Sequence, residues 1–500
     1  MAAQLSQIPA RGDFIGGRFL SVGDDALSGC IERLSPRCFA DVVGRFGFRL
    51  AAVGEAVASA RAAFPGWARL SLEQRMESMR ALKTALAARA EELAVLITRE
   101  VGKPLWEART EVAAALNKID ITLSDGLALV TPREMGSSAQ RYAFKPHGVA
   151  AVLGPFNFPI HLMHGHVVPA LVTGNTVVVK PSELSPAVGQ LYAECFEAAG
   201  LPPGVFNLIQ GDASVGAELA AHPEVDAVML TGSYGAGLAI KRATLEQPHK
   251  LLALELGGHN PAIVLADANL DKAVHDVLWG AFVSAGQRCS GTAIALVEHT
   301  MFERFSELLS SKLDRLRVGD PLEAVFMGPV VSEIARGRFW EALERAEQQG
   351  ASALRKSTWP TCELPEGAYL TPSVHLIEQA RGLPYETEEL FGPDLALMPV
   401  RDLEHALSQA NAGAYGLSAS VFSADRAAFE HALAGLRHGC VNWNAPTCGA
   451  SSKLPFGGTG KSGNHRPAAL FSTLYCTYPV ATLEGPTVLD PKTLSPGLTW

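Results

Sequence analysis

Apolar residues recur at three- and four-residue steps between residues 71 and 99. They are Leu72, Met76, Met79, Leu82, Leu86, Leu93 and Leu96. Because this spacing places them on one face, it predicts a long amphipathic helix. Ser71 and Gln74 have the spacing of a capping box at its start. We expect the helix to end near Gly102 and Pro104, since glycine frees the backbone and proline cannot continue a helix.

Beyond Gly148 the pattern changes to short apolar runs rich in β-branched residues. The runs are VAAVL, TVVVK, VFNLI, DAVML and PAIVL, and they alternate with stretches of helical spacing such as AVGQLYAECFEAAG and ASVGAELAAH. Strands that alternate with helices indicate a parallel, doubly wound sheet. The nearly uninterrupted apolar character of the runs fits strands that are covered on both faces.

A second series of the same kind follows and predicts another α/β unit. Its strand-like runs are IALVE, LALMPV, SASVF and CVNWN, with helical stretches near residues 301–316 and 334–349. The segments RYAFKPHGVA and LYCTYPVATLE fit neither series and look extended, so we hypothesise that they add strands to the sheet of a neighbouring subunit. The tail after Glu484 contains several prolines and is expected to be a loosely held extension.

Composition and charge narrow the class of protein. A chain of 500 residues exceeds what one core usually supports, so two large domains are expected. With 48% apolar and 19% charged residues, it can bury a sizeable interior. The net charge is -9, and no run of Lys or Arg could neutralise a row of phosphates, which argues against nucleic acid as a partner.

The first residues lack the regions of a signal peptide, and no stretch of about 18 residues is apolar enough to span a membrane. A soluble, cytosolic protein is therefore expected.

The eight cysteines show neither CxxC pairs nor the spacing of a metal finger. Neither a disulfide framework nor a bound metal is expected, as in a reducing compartment. The simplest interpretation of each thiol is a small buried hydrophobe. Cys289 stands apart, because GQRCSG surrounds it with small and polar neighbours that give a nucleophile access. A buried structural cysteine remains the alternative, since nothing local shows a lowered thiol pKa.

Two further polar residues occupy positions suited to chemistry. Glu255 ends the apolar run in LLALELGGHNP, where it is either a satisfied structural acid or a general base whose pKa burial raises towards neutrality. Asn157, in GPFNFP, stands between two proline turns after a strand. Its amide could point at a developing oxyanion there. An ordinary turn asparagine is the alternative.

Two strings have features of a nucleotide site. VVVKPSE places Lys180 and Glu183 just past a strand, at the edge where open α/β sheets bind ligands. A solvated pair in a loop is the alternative. LTGSYGAG, residues 230–237, is a glycine-rich turn between a strand and a helix. It could present Ser233 and backbone N–H groups to a pyrophosphate.

The later string EELFGP, with Glu389 and Phe391, could be an ordinary loop by itself. Together, however, the order and spacing of all these strings resemble the aldehyde dehydrogenase superfamily from about residue 50 to about residue 485. The resemblance implies an α/β fold with a Rossmann-type NAD-binding domain, an α/β catalytic domain and a small β oligomerisation element. The implied bounds are 1–123 and 150–257 for the NAD-binding domain, 258–464 for the catalytic domain, 124–149 and 465–486 for the oligomerisation element, and 487–500 for a C-terminal extension.

The same resemblance implies a role for each residue. Cys289 would be the nucleophile and Glu255 the general base, while the Asn157 side chain and the Cys289 backbone N–H would form the oxyanion hole. Contacts with NAD would come from Lys180 and Glu183 at the adenosine ribose, from Gly232, Ser233 and Gly237 at the pyrophosphate, and from Glu389 and Phe391 at the nicotinamide and its ribose.

The reaction implied is the oxidation of an aldehyde to a carboxylate through a thiohemiacetal and a thioester on Cys289. Thiolate attack creates an oxyanion that Asn157 would stabilise, and the thioester would be hydrolysed by a water that Glu255 deprotonates. Glu183 favours NAD, since a carboxylate accepts a hydrogen bond from the ribose 2′-hydroxyl but repels the 2′-phosphate of NADP. The resemblance also implies a homodimer or homotetramer.

The end of the chain indicates the substrate. CGASSKLPFGGTGKSGNHRP and LYCTYPVATLE resemble one branch of the family, the N-succinylglutamate 5-semialdehyde dehydrogenases of arginine catabolism, and so do KPLWEARTEV, GPFNFPIHLMHGHVVPAL and VNWN. A substrate with carboxylates needs cations, for which Arg288, His465 and Arg466 are the hypothesis from charge. Either arginine could instead pair with a structural acid. Another semialdehyde, or an aliphatic or aromatic aldehyde, is the alternative substrate.

Two rival functions are considered. One has a different acceptor for the thioester, and the other has no catalytic activity. An acylating dehydrogenase would pass the acyl group to coenzyme A, but Glu255 argues against it, because a hydrolytic base is unhelpful when a thiol resolves the intermediate. A catalytically silent structural or binding relative would be expected to lack the nucleophile or the base. Both Cys289 and Glu255 are present.

Overall fold

The computed structural model describes residues 6–21, 27–378, 380 and 382–498. The strands are β1 (Asp13–Ile15), β2 (Arg18–Leu20), β3 (Gly29–Ser35), β4 (Cys38–Phe48), β5 (Arg133–Met135), β6 (Ser137–Pro146), β7 (Val149–Leu153), β8 (Thr176–Lys180), β9 (Phe206–Leu208), β10 (Ala227–Thr231), β11 (Leu251–Glu255), β12 (Asn260–Val264), β13 (Thr292–Glu298), β14 (Ser352–Arg355), β15 (Ser373–Leu376), β16 (Asp394–Val400), β17 (Tyr415–Gly416), β18 (Ser418–Phe422), β19 (Cys440–Trp443), β20 (Pro455–Phe456), β21 (Thr459–Gly460), β22 (Ala468–Ala469) and β23 (Thr477–Leu483). The helices are α1 (Ala52–Arg69), α2 (Leu72–Ala88), α3 (Ala90–Val101), α4 (Leu105–Ile121), α5 (His161–Val172), α6 (Pro186–Ala199), α7 (Ala213–Ala221), α8 (Tyr234–Ala243), α9 (Leu270–Phe282), α10 (His299–Leu313), α11 (Glu333–Gln348), α12 (Pro384–Thr387), α13 (Leu403–Ala410), α14 (Arg426–Gly435) and α15 (Ser472–Tyr475).

The first large sheet has the strand order β11-β10-β7-β8-β9-β1-β2. It is parallel from β11 to β9, and β1 and β2 extend it in antiparallel pairing. Alternate residues of β7 belong to two hydrophobic cores, with Ala150 and Val152 in one and Val149 and Ala151 in the other. The predicted doubly wound sheet, buried on both faces, is thus confirmed.

The second large sheet has the order β14-β15-β16-β13-β12-β18-β19 and is parallel apart from β14. The predicted second α/β unit is confirmed. However, the run PAIVL, expected in the first series, belongs here as β12. The physical reason is that β11, whose run LLALE the sequence pattern did not assign as a strand, pairs with β10 at the edge of the first sheet. Its other side is covered by residues 462–464, because the Leu256 N–H donates to the Ser462 carbonyl and the Leu254 N–H donates to Asn464 Oδ1. After Gly257 and Gly258 the chain continues into the second sheet.

The two extended segments form a small antiparallel sheet with the order β23-β6-β5. Their pairing places Thr477 opposite Pro146 and Leu483 opposite Gln140. The prediction that they are extended is confirmed. Within the described part of the chain they pair with each other, and β23 forms one edge of the sheet. The hypothesis that they also join a neighbouring subunit stays a prediction.

The helix predicted between residues 71 and 99 is interrupted. Ser71 and Gln74 form the expected capping box, and Gly102 ends the segment with a φ of 86°. At Arg89, however, φ is −115° and ψ is 18°, so α2 ends and α3 begins there. The Arg89 guanidinium pairs with Glu92 of α3 and with Glu194 of α6, which stabilises the break. Apolar spacing alone does not show such a kink.

Helices α4 and α5 pack against each other beside the carboxyl end of the first sheet. α4 buries several charged residues, among them Glu107, Glu111 and Lys118. α5 begins at His161, shortly after the GPFNFP turn. These two helices therefore form one wall of the space above the sheet. None of the helices in the described residues is long and apolar enough to cross a membrane.

Candidate active site

Cys289 lies in the turn between α9 and β13. The approach to it contains Ser284 and Ala285, both with positive φ, at 57° and 52°. The Asn260 side chain fixes the turn, because its Nδ2 donates to the carbonyls of Cys289 and Gly291, each at 2.8 Å. The backbone around the thiol is thus held rigidly.

The Cys289 thiol is half-buried and free of disulfide bonding. Burial raises its pKa to about 12, and the carboxyl groups of Glu389 and Glu255 add to the increase. A thiol in this environment needs a base or a nearby positive charge to react as a thiolate.

Glu255 is the last residue of β11 and is 5% exposed. Burial raises its carboxyl pKa well above the ordinary value, and the backbone N–H of Ala468 and the charge of Lys118 offset this only in part. Its Oε2 atom has no hydrogen-bond partner among the described residues. A buried, partly unsatisfied carboxyl with a raised pKa has the properties of a general base.

Cys289 and Glu255 line the same cavity of about 440 Å³, here named the Cys289 cavity. The aromatic part of its wall consists of Trp106, Phe158, Trp279 and Phe456, and its polar part includes Lys118 and His161. The cavity lies between α4, α5 and the two loops that carry the thiol and the acid. It can accommodate a small organic molecule with a flexible chain.

Asn157 is buried beside the loop that carries Cys289. Its Nδ2 donates to the Gln287 carbonyl at 2.9 Å, and its Oδ1 accepts from the Phe158 N–H at 3.1 Å. The amide therefore lies next to the segment two residues before the thiol, with a second N–H of the same group still available. It is not among the residues that line the Cys289 cavity.

Glu389 and Phe391 approach the thiol loop from another side. Glu389 Oε1 accepts from the Gly258 N–H at 3.0 Å, and burial raises its pKa to about 7. A Cβ at Gly257 would lie 2.1 Å from Glu389 Oε2, so a larger residue there would displace this carboxyl from its present position. Phe391 has a φ of 54°, and its ring packs edge-on against Phe156 at 5.8 Å.

Lys180 and Glu183 lie at the carboxyl edge of the first sheet. Lys180 is the last residue of β8, and its Nζ donates to the carbonyls of Pro181 and Gly211, each at 2.8 Å. Glu183 Oε2 is 3.6 Å from that amine and nearly half of its side chain is exposed. An exposed carboxylate beside a fixed cation suits the hydroxyls of a ribose.

The turn between β10 and α8 contains Gly232, Ser233 and Gly237. Ser233 caps α8 by accepting from the Ala236 N–H at 3.2 Å. The Gly232 N–H donates to the Glu255 carbonyl at 3.0 Å, which ties this turn to the strand of the acid. Gly237 is buried against Leu256. The start of α8 thus offers the free N–H groups and helix dipole that bind a pyrophosphate.

The three cations expected to bind a carboxylate lie in different environments. Arg288 lines the Cys289 cavity, but its Nη2 pairs with Glu107 at 2.8 Å. This is the pairing with a structural acid that the sequence left open. His465 and Arg466 are exposed, and neither is among the residues that line the cavity. None of the three therefore places an unpaired charge in the cavity.

Sequence reasoning missed the charged face of α4. Glu107 pairs with Arg288, and Glu111 pairs with Lys103 at 2.7 Å. Lys118 of the same helix lines the Cys289 cavity together with Glu255. The signal that could have found it is spacing, since residues 107, 111 and 118 are four and seven apart and share one helical face. Charged residues are rarely fully buried unless they are paired, so a buried charged face of a helix is informative.

The residues present fit a bound nicotinamide dinucleotide. An exposed acid and a fixed lysine at one strand end, a capped helix start at the next, and a carboxyl cradled by Gly257 provide partners for riboses and phosphates. These groups lie along the carboxyl edge of the first sheet and lead towards the thiol. The site therefore combines a nucleotide-binding edge with a nucleophile and a base.

Known proteins are similar to this chain over most of its length. The profile of the aldehyde dehydrogenase family matches residues 31–478. A relative from Burkholderia ambifaria named N-succinylglutamate 5-semialdehyde dehydrogenase is 42% identical over 451 residues, which cover 89% of this chain and 92% of the relative. One from Caulobacter vibrioides, named N-succinylglutamate 5-semialdehyde dehydrogenase 1, is 43% identical over 433 residues, which cover 86% and 90%.

Solved structures agree with the fold. A mutant of aldehyde dehydrogenase C from Pseudomonas syringae, solved with NAD+ and octanal, matches with a TM-score of 0.88 at 32% identity, over 96% of this chain and 98% of that chain. The α/β fold predicted from the resemblance is confirmed.

Proposed function

Because this chain belongs to the aldehyde dehydrogenase family, we propose that it oxidises N-succinyl-L-glutamate 5-semialdehyde to N-succinyl-L-glutamate with NAD as the hydride acceptor. The named relatives at 42% and 43% identity support this substrate. The observation that carries the proposal is that a thiol and a buried acid, Cys289 and Glu255, line one cavity beside a nucleotide-binding edge.

The first half of the reaction belongs to Cys289. Its sulfur forms a bond to the aldehyde carbon, and the thiol proton passes to solvent. The oxygen of the resulting thiohemiacetal becomes negative, and the Asn157 amide together with the Cys289 backbone N–H stabilises it. NAD, when bound, accepts the hydride that this carbon then releases. The rigid turn held by Asn260 keeps the sulfur in place throughout.

The second half belongs to Glu255. Its carboxylate takes a proton from a water, which attacks the thioester, breaks the carbon–sulfur bond and releases the acid. Burial in the Cys289 cavity raises the pKa of this group, so that it holds a proton more readily than an ordinary carboxylate. A hydrolytic base argues for water rather than coenzyme A as the acceptor. Formation of the acid in the absence of coenzyme A tests this point.

Residue Glu183 supports NAD over NADP. Its partly exposed carboxylate beside Lys180 suits a ribose 2′-hydroxyl and repels a 2′-phosphate. We expect kcat/KM to favour NAD, and Glu183→Gln to reduce this preference. A wild-type preference for NADP would contradict the assignment.

We also propose that the chain works in the cytoplasm as a homodimer or homotetramer. The described cysteines are all free, as in a reducing compartment. The strand content supports the domain bounds inferred from the resemblance, since β7 to β11 precede residue 257 and β12 to β19 follow it. The small sheet of β5, β6 and β23 is the proposed oligomerisation element.

The test follows NADH absorbance with four aldehydes: N-succinylglutamate 5-semialdehyde, glutamate 5-semialdehyde, succinate semialdehyde and hexanal. The first should give the highest kcat/KM, and a clear preference for hexanal would show that the substrate is wrong. Cys289→Ala should abolish oxidation of all four. The exposed Cys362 provides the matched control, since Cys362→Ala should leave every rate unchanged.

A further inference from the structure

One side of the Cys289 cavity contains a positively charged group without an ion-pair partner among the described residues. Arg288 is paired with Glu107, and the neighbouring Lys103 is paired with Glu111. Lys118 differs, because its amine makes no hydrogen bond and no ion pair within 4 Å among the described residues, although the residue is only 4% exposed and lines the cavity. A buried ammonium group without a partner is costly unless something binds it.

His161 lies beside this amine and also lacks a side-chain hydrogen-bond partner among the described residues. Neither of its ring nitrogens has a hydrogen-bond partner among the described residues, and Nδ1 is fully buried. The residue lines the cavity as the first residue of α5. Burial and the charge of Lys118 lower its pKa well below the ordinary value, so the neutral ring can donate one hydrogen bond.

The packing of α4 against α5 brings the two groups together. A Cβ at Gly165 would lie 3.3 Å from Lys118 Cε and 3.4 Å from Nζ, so the amine rests directly over this glycine. Gly165 is four residues after His161 and therefore lies on the same face of α5. The helix thus presents the imidazole and accommodates the amine one turn further along.

We propose that Lys118 and His161 form a carboxylate-binding subsite in the Cys289 cavity, which holds one carboxylate of the acidic aldehyde. This inference rests on the proposed function. The amine supplies the charge and a hydrogen bond, and the imidazole supplies a second donor, which together match the two oxygens of a carboxylate. The aromatic wall of Trp106, Phe158, Trp279 and Phe456 covers the methylene groups between this carboxylate and the aldehyde.

Among the described residues, no other titratable group forms an ion pair with Lys118. Glu255 acts on it electrostatically, but no ion pair within 4 Å joins this carboxyl to the amine. His164 and His166 of α5 have pKa values lowered to about 3 by burial and by Lys118. The pKa of Lys118 is lowered to about 8, so the amine carries its charge at neutral pH and gains a partner when an anion enters.

Lys118→Met tests the subsite, because it removes the charge and retains the length of the side chain. The ratio of kcat/KM for N-succinylglutamate 5-semialdehyde to that for hexanal should fall by about 10- to 100-fold, as for loss of a hydrogen bond to a charged group. The change should lie mainly in KM. If kcat/KM falls equally for both aldehydes, the subsite is refuted and Lys118 acts through Glu255 instead. If neither kcat/KM value changes, the subsite is also refuted.

Gly165→Ala provides a second variant that keeps the lysine. The added methyl group displaces the amine by a few tenths of an ångström, so KM for the acidic aldehyde should rise while the thermal midpoint shows that the protein is folded. Lys83→Met is the matched control, since Lys83 pairs with Asp120 at 2.6 Å and lies outside the cavity. It should leave the ratio at the wild-type value.

Inhibition separates the subsite from the choice of substrate. Glutarate is the probe, and its Ki is measured against oxidation of hexanal in the wild type, Lys118→Met and Lys83→Met. A Ki raised about tenfold or more in Lys118→Met alone supports the subsite, and an equal Ki in all three refutes it. If the wild type prefers hexanal, the proposed substrate fails, whereas the glutarate result still decides the subsite.

Discussion

At the scale of single residues, Asn157 combines a predicted catalytic role with visible structural bonds. Asn157→Ala should lower kcat by about 100- to 1,000-fold, the cost of losing one donor to an oxyanion. It also leaves the Gln287 carbonyl without its partner, so the free energy of unfolding should fall by about 1 to 3 kcal/mol. Steady-state kinetics and urea unfolding measure the two effects. Near-normal turnover would contradict the oxyanion role.

Glu255→Gln should separate the two halves of the reaction. Without the base, hydrolysis slows by about 100- to 10,000-fold, whereas the thiol and the oxyanion donors remain. Rapid mixing should show a burst of NADH close to one equivalent per active site, followed by slow turnover. Absence of a burst, with equally slow formation of the first NADH, would mean that Glu255 acts before the thioester forms.

The pH profile of the wild type follows from the same carboxyl. Burial raises the pKa of Glu255, so the base is protonated, and hydrolysis is lost, as pH falls through a range above that of ordinary carboxyl groups. Deacylation rates measured from pH 5 to pH 9 should therefore increase with pH. A rate that stays constant down to the range of an exposed glutamate would argue that another group is the base.

At the scale of elements, the sequence predicts regular structure well where the buried residues are apolar and poorly where charged residues are buried. The runs VAAVL and TVVVK became β7 and β8 with the predicted bounds, because strands covered on both faces have a simple pattern. The break at Arg89 and the strand β11 were not predicted, since both depend on contacts with distant elements. The charged face of α4 was missed because its partners, Arg288 and Glu255, are far away in the chain.

This buried network is testable through Glu107. Glu107→Gln leaves the Arg288 guanidinium without its counter-ion, and breaking a buried pair costs about 3 to 5 kcal/mol of unfolding free energy. The matched control is Glu91→Gln, because Glu91 forms an exposed pair with Arg109 and its loss should cost no more than about 1 kcal/mol. Urea unfolding compares the two. Equal small losses would show that Glu107 does not stabilise the loop of Cys289.

At the scale of the whole molecule, the sequence predicts two α/β units and a separate extended element, and it fits the family over most of the chain. The alternation of strands and helices did not place PAIVL in the correct sheet, because membership of a sheet depends on which edges other segments of the chain already cover. Nor does spacing identify the cations that face the substrate. Arg288 is adjacent to the nucleophile in sequence and yet paired, whereas Lys118 is remote in sequence and lines the cavity.

The proposed oligomer is expected to depend on β23 and not on the tail. Residues 485–498 are nearly all exposed, so deletion after Glu484 should leave the thermal midpoint and the number of subunits in solution unchanged. Deletion after Cys476 removes β23 and should yield a smaller or aggregated species. Size-exclusion chromatography with light scattering measures both. A smaller number of subunits after removal of the tail alone would show that the tail forms the interface.

The pairing of β6 with β23 has a consequence for synthesis of the protein. β6 leaves the ribosome early, but its partner strand, which begins at Thr477, is translated only after both large sheets. Any surface that this small sheet offers to another copy therefore exists only once residue 483 has emerged. Any assembly through this sheet must follow translation of β23, and a nascent chain that stalls earlier exposes the unpaired edge of β6 to aggregation.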